Sequence, residues 1–175
     1  IAETVDEISN GRLILGIGSG WAEPEYKAFG FPFDHRASRF EEAVQIISSL
    51  IRTGHVDFEG EYYSAVDCEL RPRGPRPEGM PIMIGTDGAR MLQLTAKYAD
   101  IWNTTWTRKV EEVLPRLAAL NAACEQNDRD PATIGRSCCI FVDAEAILKF
   151  SEKYPRLAGP LRVEIGRFSE AFISK

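Results

Sequence analysis

Histidine is scarce in this chain, and cysteine shows no ligand spacing. Only two histidines, His35 and His55, occur in 175 residues, and the four cysteines, Cys68, Cys124, Cys138 and Cys139, contain no C-x-x-C pair. Zinc sites need clustered donors of these types, so no metal site is expected. Cys138 and Cys139 are neighbours on a strand-like run, where successive side chains point to opposite faces. Reduced thiols, as in a cytoplasmic protein, are the expected state. A basic excess is also missing. Lys and Arg total 21 against 26 Asp and Glu, giving a net charge of −5. Nucleic acid demands a clustered basic face, so none is expected as a partner. No apolar run approaches the roughly 20 residues of a membrane span, which argues against a membrane partner. The opening "IAETVDEISN" has neither the charged nor the apolar part of a secretory leader. It also lacks an initiating methionine and reads as the end of a helix. Ile1, Val5 and Ile8 recur at helical spacing, and Gly11 stands where a helix-ending glycine belongs. A piece of a longer chain is therefore expected.

What is present suits a globular domain, since 44% of residues are hydrophobic and 27% charged. Apolar strand-like runs at 12–18, 82–85, 100–104 and 137–142 alternate with helical patterns. The strongest helix is "RASRFEEAVQIISSLIRTG", with Phe40, Ala43, Val44, Ile47, Leu50 and Ile51 on one stripe, Asp34 as its expected cap and Gly54 as its stop. Two further helices are "GARMLQLTAKYA" and "VEEVLPRLAALNAACEQN", the latter holding Pro115. Residues 55–80 interrupt this rhythm with a small hairpin turning near Gly60 and a Pro-rich loop. Arg71, Arg73 and Arg76 of that loop are expected to be solvated. The stretch 19–35 reads as loop. Beyond 144 a helix, a strand near Leu161–Ile165 and a last helix are expected, from a weaker pattern. Alternation of this kind predicts an α/β fold with a parallel sheet. An open doubly wound sheet and a (β/α)8 barrel both satisfy it. A barrel needs about 250 residues, so this chain would hold only part of one.

Two glycine clusters carry the candidate chemistry. In "GIGSGW" the glycines at 16 and 18 match a dinucleotide fingerprint, but Trp21 replaces its last glycine. About 20 residues on, a helix stands where the fingerprint needs a strand ending in an acid. An S-adenosylmethionine-dependent methyltransferase is an alternative reading, weakened by Ile14 where its acid would stand. The second cluster, "IGTDGAR", joins a buried strand to a helix. The opening amides of that helix, at Gly88, Ala89 and Arg90, suit an anion, and the Arg90 side chain could add a charged hydrogen bond. Asp87 would oppose this if it pointed inward, or would cap the helix. The local pattern leaves a phosphate site and a plain capped turn both open.

The order of the pieces is more specific than either cluster. "NGRLILGIGSGW", "EYKAFGFPF", "RFEEAVQII", "FEGEYY", "PIMIGTDGARML" and "YADIWNTTW" follow one another at spacings that resemble the bacterial luciferase-like superfamily of flavin- and F420-dependent oxidoreductases and monooxygenases. The resemblance implies a TIM-type (β/α)8 barrel with its site at the carboxyl ends of the strands. Residues 1–175 would supply about the fourth to seventh β-α units, with 55–80 as an insertion. It implies FMN or coenzyme F420, whose phosphate would lie on Ile84, Gly85, Thr86, Asp87 and Gly88. Ser19, Gly20 and Trp21 would face the cofactor ring and a small organic substrate. Sugar-phosphate dehydrogenases of this superfamily carry Glu where Trp21 stands, and glycines are common where Thr86 and Asp87 stand. No general base is assigned. Glu23, Glu25 and Tyr26 lie near the expected mouth, and Trp102 and Trp106 are expected to pack. A fragment inactive by itself, a homo-oligomer and a non-catalytic interaction module all remain open.

Overall fold

The computed structural model describes residues 1–107 and 110–140. In chain order its elements are α1 (Ala2–Ile8), β1 (Leu15–Ile17), α2 (Glu23–Phe29), α3 (Arg36–Thr53), β2 (His55–Glu59), β3 (Ser64–Glu69), β4 (Ile82–Gly85), α4 (Ala89–Tyr98), β5 (Ile101–Thr107), α5 (Val110–Gln126) and β6 (Gly135–Ile140). A single 3-10 turn at Pro131–Thr133 precedes β6. These elements lie in one compact unit, Ile1–Ile140. The helix, strand and last helix expected beyond 144, and the end of the strand at 141–142, fall outside the described residues.

The four expected strands are parallel neighbours in the order β1-β4-β5-β6. Leu15 pairs with Ile82, Ile84 with Trp102, and Asn103 with Ser137. Each strand after β1 adds to the same side of the one before it. A doubly wound sheet reverses at a switch point, and the described strands contain none. An unreversed run of this kind forms a barrel wall and equally one half of such a sheet.

Period-two alternation sorts the side chains of this wall. Ile82, Ile84 and Trp102 point to the helical layer and are buried against it. Val44 and Ile51 of α3, Leu92 and Leu94 of α4, and Leu120 and Cys124 of α5 complete that layer. Burying each large aliphatic chain stabilises by about 1.5–3 kcal/mol, so the helices are held mainly by this face. The opposite face carries Gly16, Met83, Asn103 and Ser137, which are less buried. The insertion is the expected hairpin, β2 antiparallel to β3.

Several sequence expectations change. The stripe Ile1, Val5 and Ile8 of α1 faces outward, and Glu3 and Asp6 are buried instead. The reason is Arg76, which donates from Nε at 3.0 Å and Nη2 at 2.7 Å to the Asp6 carboxylate. The Leu13 N–H adds a third bond to Asp6 at 3.0 Å. The left-handed residue that closes α1 is Asn10, with φ 56°, followed by Gly11 at φ 75°. Arg73 is not solvated either. It caps the carboxyl end of α3 by donating to the carbonyls of Leu50 and Ile51. Arg71 alone behaves as expected, in an exposed pair with Glu69. Asp34 does not cap α3. His35 holds the N-cap position, and Asp34 accepts from Arg39 instead. The stretch 19–35 is not all loop, because α2 forms within it. Pro24 and two acids set its first turn and Gly30 its left-handed end. None of its residues is buried, so it has no apolar stripe to betray it.

Candidate functional site

Parallel pairing of β1 with β4 brings the two glycine clusters to the same, carboxyl, edge of the sheet. There Ile17, Gly18, Ser19, Gly20, Trp21, Gly85 and Asp87 line one cleft of about 840 Å3. The backbones approach closely. A Cβ built on Gly18 would lie 3.5 Å from the Gly85 carbonyl oxygen. The cleft thus gathers five of the nine expected site residues, with Ile84, Thr86, Gly88 and Arg90 to be placed around it.

Ile84 points the other way and is fully buried in the helical layer. The Thr86 backbone is spent within the fold. Its N–H donates to the Asn103 carbonyl at 3.1 Å, and its carbonyl accepts from Trp102 Nε1 at 2.8 Å. Gly88 is the N-cap of α4, which has no side-chain cap, and the first helical N–H to reach a carbonyl is that of Leu92. The amides of Ala89, Arg90 and Met91 are therefore the open ones. A Cβ on Gly88 would meet nothing within 4 Å, so the helix start is open at that position.

Asp87 neither caps α4 nor stands unbalanced. Its carboxylate accepts from Thr104 Oγ1 at 2.7 Å and from Arg116 Nη1 at 2.9 Å. Arg116 also donates to Thr104 Oγ1 at 2.8 Å. The cation on α5 offsets the charge that would repel a phosphate. Arg90 is directed elsewhere, pairing with Glu41 at 2.9 Å. Backbone donors, a positive helix end and a neutralised Asp87 fit a phosphate group; the Arg90 side chain is not part of that fit.

The loop after β1 is fixed from behind. The Tyr26 hydroxyl donates to the Ser19 carbonyl, and Arg36 Nη1 donates to the Gly20 carbonyl at 2.6 Å. Gly20 has φ +68°, which a side chain rarely adopts. Trp21 is left 78% exposed at the cleft. Tyr26, held in this way, is a support of the loop, and Glu23 and Glu25 belong to the first turn of α2. Sequence reasoning missed three contributors. Asn103 and Ser137 share the sheet face of Gly85, joined by an Asn103 Nδ2 bond to Ser137 Oγ at 2.9 Å. Arg116 sits inside a helix with no local sign of its partner. Polar residues within an otherwise apolar strand were the available signal for the first two.

The comparisons with known proteins now bear on this geometry. Residues 2–149 match the model of the family described as luciferase-like monooxygenase. The chain belongs to that family. Among its relatives, the pyrimidine monooxygenase RutA of Yersinia enterocolitica is 33% identical over 138 residues, covering 74% of this chain and 37% of that protein. RutA of Pseudomonas savastanoi is 32% identical over 147 residues, covering 81% and 40%. The chain thus spans about two fifths of the length of these curated relatives. Monooxygenase RslO1 from Streptomyces bottropensis superposes with a TM-score of 0.69 at 21% identity, over 88% of this chain and 48% of that one. An F420-dependent secondary alcohol dehydrogenase, solved with an F420-acetone adduct, gives 0.67 at 19% identity, over 78% and 42%. These two likenesses establish the fold, part of a TIM-type barrel. The luciferase-like family displaces the methyltransferase alternative. Among the described residues no group of His, Cys, Asp and Glu is placed to hold a metal, and no helix is long and apolar enough to cross a membrane.

Proposed function

We propose that this luciferase-like chain forms the phosphate side and one ring-facing wall of a site for FMN or coenzyme F420, in an oxidoreductase or monooxygenase acting on a small organic substrate. The observation that carries the reading is the convergence of the two glycine loops on one cleft beside the uncapped start of α4. Bound there, the cofactor supplies the hydride or oxygen chemistry. The chain's own residues do the rest. The Ala89, Arg90 and Met91 amides hold the phosphate, Arg116 keeps Asp87 from repelling it, and Ile17 and Trp21 shield the cleft from water. A pyrimidine is the first substrate to test, because the curated relatives are named pyrimidine monooxygenases. Four reduced cysteines accord with the cytoplasm, and a net charge of −5 with the absence of a nucleic-acid partner.

The test is a titration of the 15N-labelled chain with inorganic phosphate, FMN and F420, following the amides of Ala89 to Met91. Saturable shifts with phosphate and with at least one cofactor are expected. At position 88 a Cβ has no neighbour within 4 Å, so Gly88→Val should leave stability within about 0.5 kcal/mol of the parent. It should weaken the phosphate response by filling the space in front of the amides. Arg90→Ala should change that response little, since Arg90 pairs with Glu41. Amides that ignore all three ligands would overturn the reading.

A further inference from the structure

We infer that the backbone N–H groups of Gly20 and Trp21 form a two-donor site for a carbonyl or carboxylate oxygen, and that Tyr26 and Arg36 are the positioning residues that aim it. The inference rests on the cleft being the cofactor and substrate site proposed above. The loop Gly18–Trp21 stands between that cleft and a second cavity of about 280 Å3, and Gly18 and Ser19 line both. Tyr26 and Arg36 line only the smaller cavity. From that side they take the carbonyls of Ser19 and Gly20, Arg36 at 2.6 Å. A trans peptide is planar, and its C=O and N–H point in opposite directions. Pulling the Ser19 carbonyl toward Tyr26 therefore turns the Gly20 N–H away from it. Pulling the Gly20 carbonyl toward Arg36 does the same for the Trp21 N–H. Away from the smaller cavity is toward the cleft. Neither N–H has an acceptor among the described residues.

Successive N–H groups around a left-handed residue make a concavity receptive to negative charge, and Gly20 supplies that residue at φ +68°. Glycine is required there twice over, because a Cβ would stand 2.7 Å from the Tyr26 hydroxyl oxygen. The two clamps share one support. Phe33 meets the Tyr26 ring edge-on at 5.2 Å between centroids and lies under the Arg36 guanidinium at 4.2 Å. Donors fixed before the ligand arrives need no reorganisation to bind it, which is the condition for stabilising charge on an oxygen. That oxygen can belong to the cofactor ring or to the substrate, and the two are separable.

The 15N-labelled full chain is titrated with lumiflavin, which carries the ring without phosphate, and with uracil, a heterocycle bearing two carbonyls. Either probe should move the Gly20 and Trp21 amide protons downfield and saturably; the probe that does so names the source of the oxygen. Tyr26→Phe and Arg36→Met should each weaken the response about fivefold, the weight of one hydrogen bond. Arg36→Lys keeps a donor for the Gly20 carbonyl and should recover most of it, which mere packing would not. The response of Ala89 to Met91 to inorganic phosphate should survive in every variant and shows that the chain is folded. If Arg36→Met loses that response, Tyr26→Phe, which deletes one hydroxyl, decides. Gly20 and Trp21 amides unmoved by both probes, or moved equally in the Tyr26→Phe and parent chains, overturn the inference. If the phosphate response persists in that case, the cofactor reading stands without it. If the Ala89 to Met91 amides ignore phosphate, FMN and F420 while those of Gly20 and Trp21 respond to a probe, the cofactor reading falls and the donor pair stands.

Discussion

At the scale of single residues, burial of charge rather than apolar spacing decides how α1 sits. Asp6 is fully buried and takes two bonds from Arg76 and one from the Leu13 N–H, while Ile8 on the same helix is 81% exposed. Removing one partner of a buried pair leaves the other uncompensated, at a cost of roughly 3–5 kcal/mol. The Arg76 side chain is 27% exposed, which places Asp6→Ala at the lower end, about 3 kcal/mol. Ile8→Lys should stay within about 0.5 kcal/mol. Urea denaturation of both variants checks this, and the opposite ranking would refute the orientation of α1. The sequence hid the arrangement because Asp6 and Arg76 are 70 residues apart. Helical periodicity sees only neighbours three and four apart. The same blindness applied at the site. Asp87 and Gly88 were legible as a strand-to-helix turn, but the Thr104 and Arg116 partners that neutralise Asp87 come from β5 and α5.

At the scale of elements, one carboxylate ties the inserted hairpin to α3. Glu42 accepts from the N–H groups of Glu61 at 2.8 Å and of Tyr62 and Tyr63 at 2.9 Å, all in the turn between β2 and β3. Desolvation pushes the Glu42 carboxyl up, but these three bonds, with the Arg39 guanidinium, outweigh it and hold it below its ordinary value of 4.5. A depressed carboxyl favours the docked state above the ordinary value, and that favour is lost as pH falls through the lowered one. Below about pH 4.5 the turn should loosen, seen as faster hydrogen exchange at Glu61 to Tyr63 relative to α3. Glu42→Gln should exchange faster at neutral pH and lose that acid dependence; an unchanged pH profile would refute the tie. The hairpin itself was readable from alternation around Gly60. Its docking was not, because Glu42 lies on α3, where a charge reads as solvated surface. Helix α2 escaped for a related reason, having caps but no buried stripe.

At the scale of the whole molecule, strand and helix alternation foretold the four parallel strands, but alternation is common to open sheets and barrels. The unreversed order β1-β4-β5-β6 fits both, and the superpositions on solved luciferase-like chains decide for the barrel. That order also bounds what the chain can hold. Among the described strands, β1 and β4 alone bring loops to the cleft, and Asn103 and Ser137 supply the neighbouring polar face. The curated relatives are about twice as long, since 138 aligned residues make up 37% of one and 147 make up 40% of another. Much of the surface that would enclose a flavin or deazaflavin ring has no counterpart in the described residues. On the proposed reading the helix start would hold the phosphate and leave most of the ring facing water. Micromolar binding corresponds to about 8 kcal/mol, and millimolar binding to about 4. One helix-end phosphate contact and a single ring-facing wall accord with the weaker figure. FMN and F420 titrated into residues 1–175, with cofactor fluorescence as the readout, should therefore give a millimolar Kd, reduced further by competing inorganic phosphate. Micromolar affinity for either cofactor, or binding indifferent to phosphate, would show that the site is more complete, or differently placed, than the cleft between β1 and β4.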